Sequence, residues 1–483
     1  MDLARYWLGK CIREHPRCGG GIGSQLPTRV LNLGPSSFAS NRIRLYEPRG
    51  QCGRYICLTY CWGKSEFIKT TRKTLESHKK NIHFNTLPQT FRDTVRIARA
   101  LDIQYVWIDS LCIIQDDEAD WRRESIRMAD VYRHSYLTVA PSWADSPNAG
   151  CFTTAGKGVE IGPVTVSPIH HFPNLKEFQH FPLLSRAWTY QERMLSPRIL
   201  YFGKHEMLWE CVKRRTCECG DARYGPYDVS KANFHDMVSK SHNRRAHQQL
   251  WRQMVVQYTP LQLTYRTDRL PAFGGLASEM QRCSKQQYLA GLWKECLIPD
   301  MCWSKSLVGV SEIDSAGIFQ QTPTWSWASI DGPVSYPYNL FNPHSDGSPF
   351  WDIVEDPEVL DVSFPLLNSS TLGEAQNGFV ELSCCLIPAK IVERQVYVDG
   401  VAFQYTLDRG RKEDMKDGGD YCLVPMLTTP VFCGLILQQR GDDPEEMIRI
   451  GVLFLSRHTL KYADPGHLEK LKSRPHNGKV RIF

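Results

Sequence analysis

Residues 105–140 decide the fold class; they read YVWIDSLCIIQDDEADWRRESIRMADVYRHSYLTVA. The stretch begins with aromatic and β-branched residues, which favour strands. After an acid cluster, residues recur at spacings of three and four, the period of one helix face. The face that we predict to be buried comprises Trp121, Ser125, Met128, Val131 and Tyr132. A second strand-like run closes the stretch, so it predicts a strand, an acidic turn, a helix and a strand.

The preceding residues extend the same alternation. Residues 54–63, RYICLTYCWG, form an apolar run that ends in a glycine, which indicates a buried strand followed by a tight turn. A helix is predicted to begin near Leu87-Pro88. The order strand, helix, strand, helix, strand predicts an α/β fold with a small parallel or mixed sheet and flanking helices. The acids that follow the strands lie where such sheets place their chemistry.

Composition limits the function classes. Of 483 residues, 42% are hydrophobic and 23% charged, as in ordinary soluble domains. The net charge of +6 contains no long basic block, so nucleic-acid binding is not supported. We find no signal-peptide core and no apolar run of membrane-span length, and the 17 cysteines lack the spacing of a disulfide framework. These features predict a cytoplasmic protein with reduced thiols and no membrane span.

Four segments are predicted from the changes in pattern along the chain. Residues 1–45 carry an N-terminal helix and hairpin, and residues 46–215 form the α/β domain. Residues 216–300 form a linker and helical connector, and residues 301–483 alternate as a mostly β C-terminal region.

Three blocks of the chain resemble the heterokaryon-incompatibility (HET) domain of filamentous fungi. They are residues 55–63 (YICLTYCWG), residues 87–140 with the run WIDSLCIIQDD, and residues 183–211. Their order and spacing match that family. The resemblance implies a fungal, cytosolic protein of innate immunity that acts in non-self recognition and regulated cell death. It also implies action through protein partners or through self-association of the domain.

HET domains are similar, at a distance, to Toll/interleukin-1-receptor (TIR) domains, which have a flavodoxin-like fold. Some TIR domains cleave NAD with a single glutamate that follows a tryptophan in a helix. RAWTYQE, residues 186–192, looks like that pattern. The resemblance therefore implies an alternative function, an NAD glycohydrolase (an NAD+ nucleosidase-like hydrolase) that uses Glu192. NAD would then be its substrate, and no other cofactor is implied.

Glu192 and Asp109 are the candidate catalytic residues. A glycohydrolase needs a carboxylate near the anomeric carbon to stabilise an oxocarbenium-like transition state. The alternative for Glu192 is a structural ion pair with Arg186 or Arg193. The alternative for Asp109 is that it accepts backbone amides of a neighbouring loop or helix.

A nucleotide-binding set accompanies these acids: Trp62, Gly63, Asp109, Ser110, Arg186 and Trp188. Trp62 and Trp188, with Trp107, would form an aromatic wall, although tryptophans in such runs usually pack in the core. Ser110 and nearby cysteines have no histidine close in these blocks, so the sequence does not support a nucleophile–histidine pair.

Two metal hypotheses remain. Asp116 and Asp117 are candidates for a divalent cation, with helix capping as the alternative. A zinc-stabilised scaffold is a weaker alternative function, and its four ligands would be His205, Cys211, Cys217 and Cys219.

Overall fold

The structure is a computed structural model of the 483-residue chain. It describes residues 1–19, 23–35, 42–153, 159–161, 164–166, 181–220, 229–240, 244–306, 322–337, 357–364, 378–393, 395–408, 421–427, 432–455, 475 and 477–483. Two compact units are present. Unit 1 comprises Met1–Lys240, Gln262–Thr264 and Pro271–Leu276, and unit 2 comprises Ser241–Leu261, Tyr265–Leu270 and Ala277–Phe483.

Unit 1 alternates helices and strands. Its helices are α1 (Asp2–Glu14), α2 (Leu75–Lys80), α3 (Gln89–Ala100), α4 (Asp109–Cys112), α5 (Glu118–Arg133), α6 (Ala187–Leu195) and α7 (Lys231–Lys240). Its strands are β1 (Ser24–Gln25), β2 (Val30–Asn32), β3 (Arg42–Tyr46), β4 (Cys52–Gly53), β5 (Tyr55–Leu58), β6 (Ile82–His83), β7 (Tyr105–Trp107), β8 (Leu137–Pro141), β9 (Val159–Ile161), β10 (Val164–Val166), β11 (Arg198–Phe202), β12 (Met207–Cys211) and β13 (Arg215–Cys217).

A nine-stranded mixed sheet organises unit 1, in the order β13-β12-β11-β8-β5-β7-β2-β3-β6. The four central strands β7, β5, β8 and β11 are mutually parallel, and the outer strands join them in antiparallel fashion. Across the sheet, these parallel strands follow the order β7, β5, β8, β11. Numbered by their order in the chain, this is 2-1-3-4. The predicted mixed α/β sheet is therefore confirmed, and its carboxyl ends carry the candidate residues.

Helix α5 buries Met128, Val131 and Tyr132 of the predicted face but not Trp121. Trp121 is 38% exposed, whereas Asp120 and Glu124 are buried. The reason is Arg29, a buried residue that pairs with Asp120 and donates from Nε to the Cys112 carbonyl at 2.7 Å. This cation comes from a distant segment and draws the acidic side of the helix inward, so the first turns bury carboxylates.

The N-terminal segment belongs to the same sheet as the α/β domain. The predicted boundary between residues 45 and 46 falls inside β3. Strands β2 and β3 form the expected hairpin, and β2 also pairs with β7 in the sheet. Residues 1–45 and 46–215 therefore share one unit in the described structure.

Unit 2 is mostly β, as predicted for the C-terminal region. A ten-stranded sheet runs in the order β18-β19-β27-β26-β25-β24-β20-β21-β22, with β23 paired to β26. Its strands are β18 (Glu358–Ser363), β19 (Phe379–Cys384), β20 (Ile387–Val392), β21 (Gln395–Val398), β22 (Val401–Phe403), β23 (Thr406–Leu407), β24 (Tyr421–Leu427), β25 (Phe432–Gln439), β26 (Glu446–Leu455) and β27 (Gly478–Ile482). Its other strands are β14 (Tyr288–Leu289), β15 (Leu292–Trp293), β16 (Ser304–Lys305) and β17 (Val334–Ser335), and its α-helices are α8 (Arg244–Tyr258) and α10 (Leu297–Asp300). Helix α9 (Pro271–Ser284) begins in unit 1 and ends in unit 2. Among the described residues, no helix is both long and apolar enough to span a bilayer.

Candidate functional site

The candidate site lies where β5 and β7 end. Residues 59–63 follow β5, and Asp109 follows β7 as the first residue of α4. Because these strands are parallel neighbours, their carboxyl ends meet at one edge of the sheet. Glu192 joins them from α6. Three blocks that are far apart in the chain therefore meet at this edge.

Asp109 is held by two donors. Trp62 Nε1 donates to Asp109 Oδ2 at 2.8 Å, and the Ser110 amide donates to Oδ1 at 2.6 Å. The Ser110 hydroxyl is buried and accepts a hydrogen bond from the Tyr60 hydroxyl at 2.9 Å. Burial raises the pKa of Asp109, while the Trp62 hydrogen bond and the Arg186 charge act in the opposite direction. The amide hydrogen bond is of the kind given as the structural alternative for Asp109, and the Trp62 hydrogen bond joins two residues of the predicted nucleotide-binding set.

Glu192 is a buried acid with a neutral hydrogen-bond partner. Its side chain is 6% exposed, and Oε2 accepts a hydrogen bond from the Thr59 hydroxyl. Burial raises the pKa of Glu192 to about 7, and the negative charge of Asp109 adds to this rise. The Thr59 hydrogen bond and the Arg186 charge oppose it. The carboxyl therefore exchanges its proton near neutral pH, which is the property of a general acid or base.

The two neighbouring arginines have other partners than Glu192. Arg186 Nη1 donates to the Tyr60 carbonyl. Arg193 forms a two-pronged pair with Glu210, with Nε and Nη2 each 3.0 Å from a carboxylate oxygen. Among the described residues, neither arginine makes the ion pair that was the structural alternative for Glu192. Arg186 acts on the acids through its charge alone.

The tryptophans divide between the core and the site. Trp107 is 1% exposed and packs edge-on against Tyr132, with ring centroids 5.7 Å apart. Trp62 and Trp188 are half-buried. Trp62 lies under the Lys69 ammonium, which is 4.9 Å from the ring centroid. Trp107 is thus a core residue, and Trp62 is the tryptophan that contacts a candidate acid.

Gly63 forms the turn at the end of the β5 segment. Its φ of +64° lies in the left-handed region, which disfavours side chains. A Cβ atom at this position would lie 2.9 Å from Ser146 Cβ. Both the backbone conformation and the close approach require glycine, as the sequence pattern predicted.

The thiols near the site are poor nucleophiles. Burial raises the pKa of Cys61 to about 11 and that of Cys112 to about 12. Both therefore remain protonated at neutral pH, and the thiolate is the form that attacks as a nucleophile. This agrees with the absence of a nearby histidine in the sequence blocks.

Asp116 and Asp117 serve the backbone. Asp117 is the N-cap of α5, and its Oδ1 accepts from the Asp120 amide at 3.1 Å. Asp116 Oδ1 accepts from the Arg72 amide at 2.7 Å. The capping alternative is confirmed for Asp117, and Asp116 also accepts a hydrogen bond from a backbone amide.

The predicted zinc set is split by the structure. Cys211 clusters with residues of the N-terminal segment, whereas Cys217 and Cys219 cluster with Glu206. His205 belongs to neither group among the described residues. Register is the reason, because Cys217 pairs with Leu208, three residues before Cys211 in β12. Three strand residues span about 10 Å and place the two side chains on opposite faces.

Two clefts in unit 1 have linings that contain neither Asp109 nor Glu192. One, of about 690 Å³, is lined by Glu124, Arg127 and other residues of α5 and the N-terminal segment. Another, of about 470 Å³, is lined by Phe67 and the start of α3. Glu192 lines neither of these two. Thr59, which donates to Glu192, and Tyr60, which contacts Ser110 and Arg186, were not predicted as site residues. Both lie inside the quoted block at 55–63.

The chain matches a known protein family over part of its length. A family model described as Heterokaryon incompatibility protein (HET) matches residues 55–192. The matched interval begins with β5 and ends at Glu192, so it contains Thr59, Trp62 and Asp109. Neither the curated proteins nor the solved structures contain a match to this chain.

Proposed function

Since residues 55–192 make this chain a heterokaryon incompatibility domain-containing protein, we propose that it acts in fungal non-self recognition and regulated cell death. It does so in the cytoplasm as a signalling module that works by self-association. The family match supports a role of the heterokaryon-incompatibility type in general.

The closure of the acid site carries this proposal. The Glu192 carboxyl is buried and accepts a hydrogen bond from the Thr59 hydroxyl. Arg186 donates to the carbonyl of the next residue, Tyr60. A carboxyl closed in this way in a single chain needs a change of state before a ligand reaches it. Self-association is a change that couples such opening to a signal, because contacts made only in the assembly shift the equilibrium toward the open form.

The test separates assembly from folding. The full chain is expressed in a fungal host, alone and fused to a domain that dimerises on addition of a small molecule. We expect growth arrest only after the dimeriser is added. A matched fusion to a dimerisation domain that cannot bind the small molecule should show no arrest at equal protein level. Arrest that is independent of assembly would contradict the proposal.

A second candidate function is an NAD glycohydrolase with a TIR-like, flavodoxin-like domain. Two observations favour it. The parallel strands follow the order 2-1-3-4, which is the start of the flavodoxin-like order. Glu192 has a pKa raised by burial to about 7 and lies near the carboxyl ends of β5 and β7, together with Asp109 and Trp62.

The chemistry of this second function is a hydrolysis. The bond between the nicotinamide nitrogen and the ribose C1′ breaks, and the electron pair leaves with nicotinamide. A water oxygen then bonds to C1′ and loses one proton. The Glu192 carboxylate would stabilise the positive charge at C1′, and Asp109 would orient a ribose hydroxyl or the water. Half-buried Trp62 would supply an aromatic face for the base.

Nicotinamide release from NAD tests this function directly. Purified full chain, both dilute and chemically dimerised, is incubated with NAD and the products are separated by chromatography. Glu192→Gln should abolish release, and exposed Glu118→Gln should leave it unchanged. No turnover in any assembly state removes the enzyme and leaves the signalling module intact.

A further inference from the structure

A second group of chemically active side chains lies away from the acid site in unit 1. It consists of Cys11, His15, Cys18 and Cys211, whose ligand atoms all lie within 4.8 Å of one another. His15 Nδ1 is 3.4 Å from Cys211 Sγ, although the two residues are 196 positions apart. Cys11 and Cys18 are both within hydrogen-bonding reach of Cys211.

The local structure of residues 11–18 brings three of these side chains close together. Cys11 lies in the last turns of α1, and His15 is the residue that ends the helix, with its amide donating to the Cys11 carbonyl at 3.0 Å. A short 3-10 helix, Pro16–Cys18, turns the chain back, and the Cys18 amide donates to the His15 carbonyl at 2.9 Å. Cys211 is the last residue of β12 and completes the group from the sheet.

The ligand types and spacing fit zinc. Four ligands around tetrahedral zinc at about 2.3 Å place the sulfurs about 3.8 Å apart. The observed separations allow this arrangement with small shifts. Three cysteines and one histidine form a closed set with no position left for substrate, which is the composition of structural zinc sites. The three cysteines are each buried, as a structural site requires.

The surrounding charge favours a metal-bound form. Zinc with three thiolates and a neutral imidazole has a net charge of −1. Two buried cations act on the sulfurs: Arg198 on Cys18, and Lys231 on Cys18 and Cys211. Both cations are anchored on backbone carbonyls, with Arg198 Nη1 3.0 Å from the Tyr136 oxygen. Lys231 also faces the buried anion of Glu210, whereas Arg198 donates to the neutral carbonyls of Tyr136 and Gly19, so an anionic metal centre would balance the Arg198 charge.

We propose that Cys11, His15, Cys18 and Cys211 bind one structural zinc ion that fastens the N-terminal helix to strand β12. The same two elements also meet through Trp7 and Trp209, whose ring centroids are 6.5 Å apart. The site replaces the predicted set at Cys217 and Cys219 and does not depend on the proposed signalling function. Its role is stability of unit 1, because the metal joins segments that are far apart in sequence.

Metal content tests the proposal. Full-length protein, purified under reducing conditions without chelator, should contain one zinc ion per chain, as measured by elemental mass spectrometry. Cys211→Ser and Cys18→Ser should each lose it, and exposed Cys52→Ser should keep it. Cys219→Ser probes the competing group of Glu206, Cys217 and Cys219 and should also keep it. Zinc that is lost from Cys219→Ser and retained in Cys211→Ser would overturn the assignment.

Measurements on the wild-type protein test for zinc even if these variants do not fold. X-ray absorption at the zinc edge should report three sulfurs and one nitrogen at tetrahedral distances. Cobalt exchanged into the protein should give the absorption of a tetrahedral thiolate complex. A strong chelator should lower the thermal unfolding temperature, and added zinc should restore it. A chain without metal, or a disulfide between two of the three thiols, would contradict the proposal.

Discussion

Two buried glutamates in unit 1 have opposite environments. Glu192 has a hydroxyl partner and a pKa raised by burial to about 7. Glu210 is also fully buried, but the charges of Arg193, Lys231 and Arg215 overcome the effect of burial and hold its pKa well below the usual range. One carboxyl is thus poised to titrate, and the other is a permanent anion.

Glu192→Gln should remove a pH dependence of stability. A raised carboxyl pKa stabilises the fold fully below the usual value of 4.5, and this contribution is lost as pH rises through about 7. The difference corresponds to about 3 kcal/mol. We expect the variant to unfold at a higher urea concentration than the wild type at pH 8, and at a similar concentration at pH 4. An unchanged pH dependence in the variant would contradict the assignment.

Glu210→Gln should act in the opposite direction. It leaves Arg193 and Arg215 buried or half-buried without their anion, and it weakens the Tyr201 hydroxyl bond of 2.8 Å. We expect a loss of about 3–5 kcal/mol at pH 7 in urea unfolding. Exposed Glu118→Gln is the control, because its i,i+4 pair with Arg122 contributes only about 0.3–0.5 kcal/mol. Equal small effects in both variants would show that the Glu210 pair is dispensable.

At the scale of elements, the β5 segment and α5 illustrate what local sequence predicts. The turn at Gly63 and the cap at Asp117 follow from residue type alone, because each satisfies a backbone requirement within a few residues. The buried face of α5 does not, because Arg29 from another segment draws Asp120 inward. Helix periodicity identifies a helix but does not identify its partner.

Gly63→Ala should destabilise unit 1 more than Gly34→Ala. Both glycines have a positive φ, of +64° and +75°, and each substitution costs about 1–2 kcal/mol for that conformation. Of these two positions, only Gly63 would bring the new Cβ within 3 Å of a described atom, which is Ser146 Cβ. We therefore expect an additional loss of about 1–3 kcal/mol for Gly63→Ala, measured by thermal unfolding. Equal losses of stability in the two variants would mean that the loop carrying Ser146 moves aside without measurable cost.

At the scale of the whole molecule, the proposed function requires association of chains. Helix α5 presents two apolar side chains to solvent, Trp121 at 38% and Ile126 at 58% exposure. Tryptophan contributes strongly to interfaces when it becomes buried there. These residues lie in the matched family interval. They are the first positions at which to test the association.

Sedimentation of the full chain should depend on concentration. We expect Trp121→Ala with Ile126→Ser to weaken association at least tenfold without lowering the unfolding temperature. Tyr6→Ser, which removes a similarly exposed apolar residue from α1, should have no effect on association. A monomer at every concentration, in an expressed chain that still arrests growth, would rule out self-association as the mechanism.

The sequence by itself determined the alternation of helices and strands, the mostly β C-terminal region, the glycine turn and the family match. These features depend on hydrophobic period, turn chemistry and contiguous motifs, all of which are local. Only the tertiary structure decided the partners. Thr59 reaches Glu192 across 133 positions, and Cys211 joins Cys11, His15 and Cys18 instead of its neighbours Cys217 and Cys219. Strand order and register determine these contacts, because they decide which distant side chains share one face and one end of the sheet.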